Sequence, residues 1–588
     1  MSGRRWLPWA VVLPIVGLDL FICVRNPGDL DRLLINMILA LSAFVTLHAK
    51  LLSLANAGFM AIGAYASAII SIKLGLPIAG SIPAAVLLCA GVALVIGMPV
   101  LKLKDVYLAI CTLGFGEMVR VLIILTPDLT GGSTGANLST GFPYEAMKQT
   151  RTWMLGVLLA LLAYLFWALS RSRIGRAFRA LRENPQAAST MGIDIVAYRR
   201  FAFVLSAMIA GVAGAFYAHS VGSLDNGDFK FNRALDILSY AVLGGSGQWF
   251  GSILGGGFLT ALPILLREVL GASVGFLKNF AQLPNIINGL ALLLVVIFLP
   301  GGLASVFGAG RKRPGPAAAG PVRELPDPDK ATAPSEAPLL VLEDVSRHFG
   351  GLEALGKVGF RMQEGLIYGL IGPNGAGKTT LINLVSGLFP PSSGRILWLG
   401  REIQQRPAHR IARAGIARTF QNIQLFREMT VLDNVIVGRH THIRTSLLST
   451  LLRLPREGRE ERSARADALA LLERLGLAEL AGQRAGNLSY GDQRRVEIAR
   501  ALAQHPRLLL LDEPAAGMNE IETRSLGEFI LELKGHGYTL LIVEHHMDLI
   551  MKICDEIVVL NFGKKIAQGT PAQVSRDEQV LEAYLGRD

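Results

Sequence analysis

Ten apolar segments, most of them near bilayer length, crowd the first 300 residues of a 588-residue chain. They run near 7–24, 33–49, 55–74, 78–101, 106–125, 153–170, 201–221, 235–249, 252–270 and 280–299. A helix needs roughly 20 mostly apolar residues to cross a hydrocarbon layer of ~30 Å, and backbone in lipid must satisfy its own hydrogen bonds. The only architecture open to this half is therefore an all-α polytopic bundle in contact with membrane lipid. Several segments are short or interrupted by glycine, so the expected count is about 8–10 spans. A chain that is 51% hydrophobic and only 18% charged agrees with this reading.

The formal charge of +12 has a membrane explanation. No basic face interleaved with aromatic residues occurs, so nucleic acid is not an expected partner. Lysine and arginine gather instead where cytoplasmic loops should be: Arg171, Arg173, Arg176, Arg179, Arg182, Arg199 and Arg200, then Arg311, Lys312 and Arg313. With Arg4 and Arg5 also inside, the number of crossings must be even. The first apolar segment lacks a convincing small-residue cleavage site and reads as a retained helix. Cys23, Cys89 and Cys111 lie in apolar runs, and Cys554 stands apart, so neither a disulfide framework nor a zinc pattern is present.

Within the membrane half, Glu117 and Arg120 share a helix face at i, i+3 and either line a path or form a structural pair. The glycines from Gly244 to Gly257 predict close helix packing, with a re-entrant turn as the alternative. The loop 172–198 carries Glu183, Ala187, Ala188 and Gly192. It reads either as a solvated positive loop or as a short coupling helix with a small-residue face, ended at Gly192. Residues 308–338, rich in proline and alanine, form an extended tether. The expected organisation is a membrane domain over 1–307, this linker, and a second domain over 339–588.

The second domain alternates strands and helices, with core strands at 366–371, 508–511, 540–543 and 557–560. Between the first strand and a helix lies Gly372-Pro373-Asn374-Gly375-Ala376-Gly377-Lys378-Thr379-Thr380. Glycines there let backbone N–H groups approach phosphates, Lys378 reaches the terminal ones, and Thr379 can hold Mg²⁺. The strand at 508–511 ends in Asp512 and Glu513, suited to hold Mg²⁺ through water and to polarise an attacking water. Phe349 either stacks on adenine or belongs to the core. A membrane bundle joined to such a nucleotide site is most simply a pump or a permease.

Four motifs in order then narrow the family: the phosphate loop, Gln421 in Thr419-Phe420-Gln421-Asn422, Leu488-Ser489-Tyr490-Gly491-Asp492-Gln493 before the carboxylate strand, and His545 after the next strand. From Leu339 onward the chain resembles the ATP-binding cassette family, which implies an α/β P-loop (RecA-like) domain with a helical subdomain, here around 447–480. The resemblance assigns phosphate and Mg²⁺ binding to Lys378 and Thr379, metal sensing to Gln421, the catalytic base to Glu513 and γ-phosphate contact to His545. Ser489 and Gly491 would cap the ATP held by a second cassette, so one copy cannot complete a site. Tyr490 replaces the first glycine of the family's usual pattern and Asn519 an aspartate; neither change removes a catalytic group. The charged stretch 456–465 reads as a solvated face.

More numerous spans, short cytoplasmic loops and the tether favour import over export. The runs Leu52–Tyr65, Tyr107–Arg120 and Leu129–Gly135 resemble the permease of the branched-chain amino acid uptake systems. Pro514–Asn519 and the tail from Gly569 to Gly586 are similar to that system's ATPase. The resemblance implies a natural fusion in a bacterial inner membrane, with a second permease and cassette, a periplasmic solute-binding protein, a small-molecule substrate, ATP and Mg²⁺. Relatives in the family carry urea, short amides or aromatic acids, which leaves the solute open.

Overall fold

The computed structural model describes residues 27–103, 105–137, 148–245, 247–273, 283–299, 301–308, 337–443, 449–450 and 452–585. The segment 7–24 with Arg4, Arg5 and Cys23, the linker residues 309–336 with Arg311, Lys312 and Arg313, and Gly586 lie outside them. The chain divides into two units: Met1–Ser170 with Val196–Lys312, and Arg171–Ile195 with Arg313–Asp588. The loop that follows the fifth long apolar helix thus groups with the nucleotide-binding half.

In the first unit, six helices among the described residues are long and apolar enough to span a bilayer. They are Pro27–His48, Asn56–Leu74, Ile78–Val100, Asp105–Leu125, Lys148–Ser170 and Ile195–Val221. Phe231–Gly244, Trp249–Ser273 and Leu283–Phe298 follow. The expected span at 235–249 is corrected: its helix has 14 residues, about 21 Å, too short to cross. It stops at Gly245 (φ 98°). A Cβ on Gly244 would lie 2.0 Å from the Gly251 carbonyl, so the next helix returns in backbone contact. The glycine run therefore packs helices closely. The same device joins Asn56–Leu74 to Ile195–Val221, where a Cβ on Gly214 would sit 2.0 Å from the Met60 carbonyl.

The second unit is built on two sheets. Strands β1 (Leu340–Phe349), β2 (Leu352–Met362), β4 (Ser393–Trp398) and β5 (Arg401–Glu402) form an antiparallel sheet in the order β2–β1–β4–β5. The core sheet takes β3 (Ile367–Ile371), β6 (Ile416–Arg418), β7 (Leu508–Asp512), β8 (Thr539–Val543), β9 (Glu556–Asn561) and β10 (Lys564–Gly569) in the order β10–β9–β3–β8–β7–β6. All its neighbours are parallel except β9 and β10. Every residue of β3, β7 and β8 is buried, as unbroken apolar runs in a two-sided parallel sheet require. The four expected core strands fall here within a residue or two; the antiparallel sheet adds a layer that periodicity did not signal. Helices Val431–Gly438, Pro455–Arg474 and Tyr490–Leu502 pack through Val435, Ala468, Leu472 and Val496. They supply the helical subdomain, of which residues 444–448 and 451 lie outside the described set.

Candidate functional site

The site gathers at the C-terminal ends of β3, β7 and β8, where an open parallel sheet leaves a crevice for ligands. After β3 the chain turns through Gly372 to Gly377 into helix Lys378–Val385. Gly372 (φ 149°) lies so close to β9 that a Cβ would sit 2.1 Å from the Leu560 carbonyl. At Gly375 (φ 81°) the space beyond the backbone is open. The loop is thus clamped at its base and bare at its crest, where Asn374 and Gly375 are exposed. Pro373 and Ala376 close the turn through the Ala376 N–H (3.2 Å to the Pro373 carbonyl). Lys378 curls back to donate to the Gly372 and Pro373 carbonyls at 2.7 and 3.0 Å. Burial pushes its pKa down, against the pull of Glu513 and Asp512. A buried ammonium held only by carbonyls is primed to exchange them for phosphate. Thr379 is exposed at the helix start and Thr380 half-buried beside it.

Asp512 ends β7 with no solvent exposure. Its Oδ2 accepts from Arg418 at 3.2 Å, whereas Oδ1 is buried and has no hydrogen-bond partner. Burial raises the pKa of this carboxyl, and Arg418 opposes the shift. A buried carboxylate oxygen without a donor is costly. Its free lone pairs suit a water in the shell of a hard divalent cation, so the residues present fit Mg²⁺.

Glu513 adopts φ 47°, an uncommon region for a non-glycine residue. Its amide donates to the Val543 carbonyl at 2.8 Å, which ties β7 to β8 at the crevice. The turn aims the carboxylate at two partners from distant segments: Gln421 Nε2 at 3.0 Å and His545 Nε2 at 3.1 Å. The structure therefore brings the three residues proposed for catalysis onto one carboxylate oxygen.

Sequence reasoning missed the groups that hold this arrangement from behind. Arg494, fully buried, donates to the carbonyls of Phe420, Gln421, Asp512 and Glu513 and pairs with Glu497 at 2.8 Å. One guanidinium thus fastens the Gln421 loop to the carboxylate strand. Glu497 also accepts from the Gln424 amide at 3.1 Å, and Arg500 donates to the Gln424 carbonyl at 2.8 Å. Glu544, 2% exposed, accepts from the amides of Ala515 and His545 at 2.6 and 3.0 Å. The only signal in the sequence was charge at spacing i, i+3 on helix Tyr490–Leu502, which usually means a solvated face.

The remaining predicted residues lie apart from this cluster. Ser489 caps helix Tyr490–Leu502, accepting from the Asp492 amide at 3.2 Å, and Gln493 donates to the Leu488 carbonyl at 2.9 Å. Tyr490 is exposed; Gly491 is half-buried, near Glu522. Asn519 forms a capping box with Glu522 at the head of helix Glu520–Gly535, a role asparagine fills as well as aspartate. Phe349 is 44% exposed, edge-on to Phe389 and beneath Arg347, which sets aside the core reading.

The segment 171–195 folds as two helices, Arg173–Glu183 and Pro185–Thr190, rather than one. Asn184 breaks the run because the residue before a proline disfavours helix, and its side chain then caps the second helix at the Ala187 amide (3.0 Å). Ala187, Ala188, Met191 and Ile193 are fully enclosed in the same unit as the nucleotide site. Arg176 forks onto Glu461, Asn184 donates to Gln424, and Glu183 accepts from the Glu428 amide at 3.1 Å. Gly192 (φ 79°) leaves no room for a side chain: a Cβ would fall 2.3 Å from Thr441 Cγ2. The small residues exist to let this segment sink into a groove.

Comparison with known proteins matches each half of the chain to a family. Residues 31–299 match the branched-chain amino acid transport system permease component, 355–516 the ABC transporter family, and 564–588 the branched-chain amino acid ATP-binding cassette transporter family. The BraF transport ATP-binding protein of Pseudomonas aeruginosa is 46% identical over 250 residues, which are 42% of this chain and 98% of that protein. LivG of Escherichia coli is equally similar, with the same coverage. A solved nucleotide-free cassette from an ABC transporter is 34% identical, covering 43% of this chain and 100% of its own, with a TM-score of 0.38. The C-terminal half is an ATPase of the P-loop class, and the N-terminal half makes this a multi-pass membrane protein. The chain belongs to the branched-chain amino acid ATP-binding cassette transporter family, with the permease and the ATPase joined in one polypeptide.

Proposed function

We propose that the protein imports branched-chain amino acids across a bacterial inner membrane by alternating access, driven by ATP. The observation that carries this is the burial of 171–195 in the ATPase unit. That segment is continuous with two membrane-length helices, Lys148–Ser170 and Ile195–Val221. A rigid joint at that point makes any movement of the cassette a pull on both helices.

At the nucleotide, Lys378 and the amides of Gly375 to Thr379 bind the phosphates, and Phe349 faces the base. Thr379, Gln421 and Asp512 would hold Mg²⁺, which neutralises charge on the phosphates when bound. Glu513 takes the proton of the attacking water; Gln421 and His545 orient its carboxylate. Ser489 and Gly491, with Tyr490 beside them, close the site of a second cassette. The working complex then contains two permeases, two cassettes and a periplasmic binding protein that delivers the solute. We take the permease as 1–307, with both its ends cytoplasmic, the linker as 308–338 and the cassette as 339–588.

The test is uptake by proteoliposomes holding this chain, its partner subunits and a candidate binding protein. Labelled leucine, isoleucine, valine, urea and benzoate are offered in turn. Leucine, isoleucine and valine should accumulate only with ATP inside, and Lys378→Ala should abolish accumulation. Solute-stimulated hydrolysis without accumulation of any of them would instead mark a non-transporting ATPase.

A further inference from the structure

The stretch 452–462, which includes most of the charged face expected to be merely solvated, joins a feature that the transport reading leaves unused. A cavity of about 370 Å³ is lined by Arg171, Arg453, Leu454, Pro455, Glu457, Gly458, Arg459, Glu461 and Arg462. All nine belong to the ATPase unit. Four arginines face two glutamates there, and Glu461 is already engaged by Arg176. The lining keeps a surplus of two positive charges.

Position decides what such a cavity meets. Arg171 is the residue immediately after helix Lys148–Ser170, whose 23 residues make a rod of about 34 Å, enough to cross the hydrocarbon layer. Chain continuity therefore holds Arg171 at headgroup depth. On the same cavity edge, Leu454 is 43% exposed, and its neighbour Leu452 is 61% exposed. Arg453, Arg456 and Arg459 are exposed around them. Exposed leucines threaded between arginines are the composition of a segment lying in the interface, with apolar tips at the acyl boundary and guanidinium groups on phosphates.

We propose that this cavity binds the phosphate headgroup of an anionic lipid of the cytoplasmic leaflet, with Leu452 and Leu454 seated at its acyl chains. Arginine forks match phosphate oxygens, and the leucines distinguish a lipid from a soluble anion. The site rests on the reading that Lys148–Ser170 spans the membrane. Incorporation of the protein into nanodiscs checks that reading separately.

The experiment uses the full-length chain in nanodiscs of dioleoylphosphatidylcholine, alone or with 30% dioleoylphosphatidylglycerol, followed by amide hydrogen exchange. Residues 452–462 should exchange more slowly in the anionic discs. In detergent, native mass spectrometry should show retained phosphatidylglycerol. Its affinity should fall about fivefold for each of Arg453→Gln and Arg459→Gln, from roughly 1 kcal/mol per basic residue at a charged surface. Equal exchange in both discs, or lipid retention untouched by the substitutions, overturns the proposal. So does equal protection by 10 mM inorganic phosphate in detergent, which would make this a soluble-anion site. The disc comparison on unaltered protein stands even if a variant misfolds.

Discussion

The catalytic face and the docking groove lie in one unit and are finished in opposite ways. At the catalytic face the decisive carboxylate is held by the tips of two long, exposed side chains, Gln421 and His545. In the groove, Ala187, Ala188, Met191 and Ile193 are wholly enclosed, and two of them have almost no side chain to move. The first contact can be rearranged at the cost of a few exposed hydrogen bonds, whereas the second must be unpacked to change. A transporter needs this division: chemistry that resets every cycle, on a joint that does not slip.

The sharpest way to break the comparison is at Glu513. Glu513→Gln keeps the shape and the hydrogen-bond partners but removes the proposed base, so kcat for ATP hydrolysis should fall about 10²–10⁴-fold, with nucleotide affinity retained. Steady-state hydrolysis beside a nucleotide-binding titration checks this. Hydrolysis within a few-fold of the parent would remove Glu513 from its role.

Arg494 lies between the two regions, since it grips Gln421 and Glu513 from behind while its partner Glu497 holds Gln424, to which Asn184 of the docked segment donates. Arg494→Gln leaves buried Glu497 with only the Gln424 amide and the more distant Arg500 (3.6 Å) and should destabilise the cassette by about 3 kcal/mol, seen in denaturant unfolding of the full chain. Arg494→Lys keeps the charge but cannot fan across four carbonyls. It should spare most of the stability yet lower kcat about tenfold, the loss of one charge-assisted hydrogen bond, at unchanged KM for ATP. A lysine variant with parental kcat would reduce Arg494 to a structural prop.

Legibility in the sequence divides along the same line. Residues 372–380, 421, 489–493, 512–513 and 545 carry local spellings, because phosphate chemistry demands a particular residue at a particular turn. Of what they spell out, Gln421 and His545 meet at Glu513, whereas 489–493 lie apart from that cluster. Arg494, Glu497, Arg500 and Glu544 spell nothing: their partners are backbone groups of segments up to 76 positions away, and buried charge on a helix looks like surface charge until the fold is known. The docking segment was half readable. Its small residues and Gly192 announce close packing, whereas the break at Asn184-Pro185 into two helices follows from the aversion of a residue before proline to helix, which the small-residue pattern does not show. The end of helix Phe231–Gly244 is hidden in the sequence because hydropathy continues past Gly245, where the backbone turns.

The groove can be broken without touching chemistry. Gly192→Ala forces a side chain into positive φ and against Thr441. Strain and overpacking each cost about 1–3 kcal/mol, so docking should weaken at least tenfold. Solute transport should fall by a similar factor while hydrolysis by the cassette persists. A variant that transports normally would show that the joint tolerates slack.

The smallest effect is a pH dependence confined to the groove. His440 is buried beneath the docked segment, and its pKa is held well below the usual imidazole value, by burial first and then by Arg173, Arg413 and Arg176. His409, facing Asp194 at 3.5 Å, is lowered too: burial outweighs the attraction of that carboxylate, and Arg413 and Arg410 add to the fall. Undocking returns each ring to water and an ordinary pKa near 6.5, so the undocked state takes up protons first. Docking is therefore at full strength above about pH 6.5 and loses up to about tenfold per pH unit per histidine below it. Hydrogen exchange at residues 185–193, corrected for intrinsic rates, should rise from pH 7.5 to pH 5.5 relative to β3 and β7. His440→Asn should flatten most of that slope while leaving hydrolysis at pH 7.5 unchanged. If the unaltered protein shows no slope, the imidazoles do not gate the joint, and the groove's resistance to slip is set by packing alone.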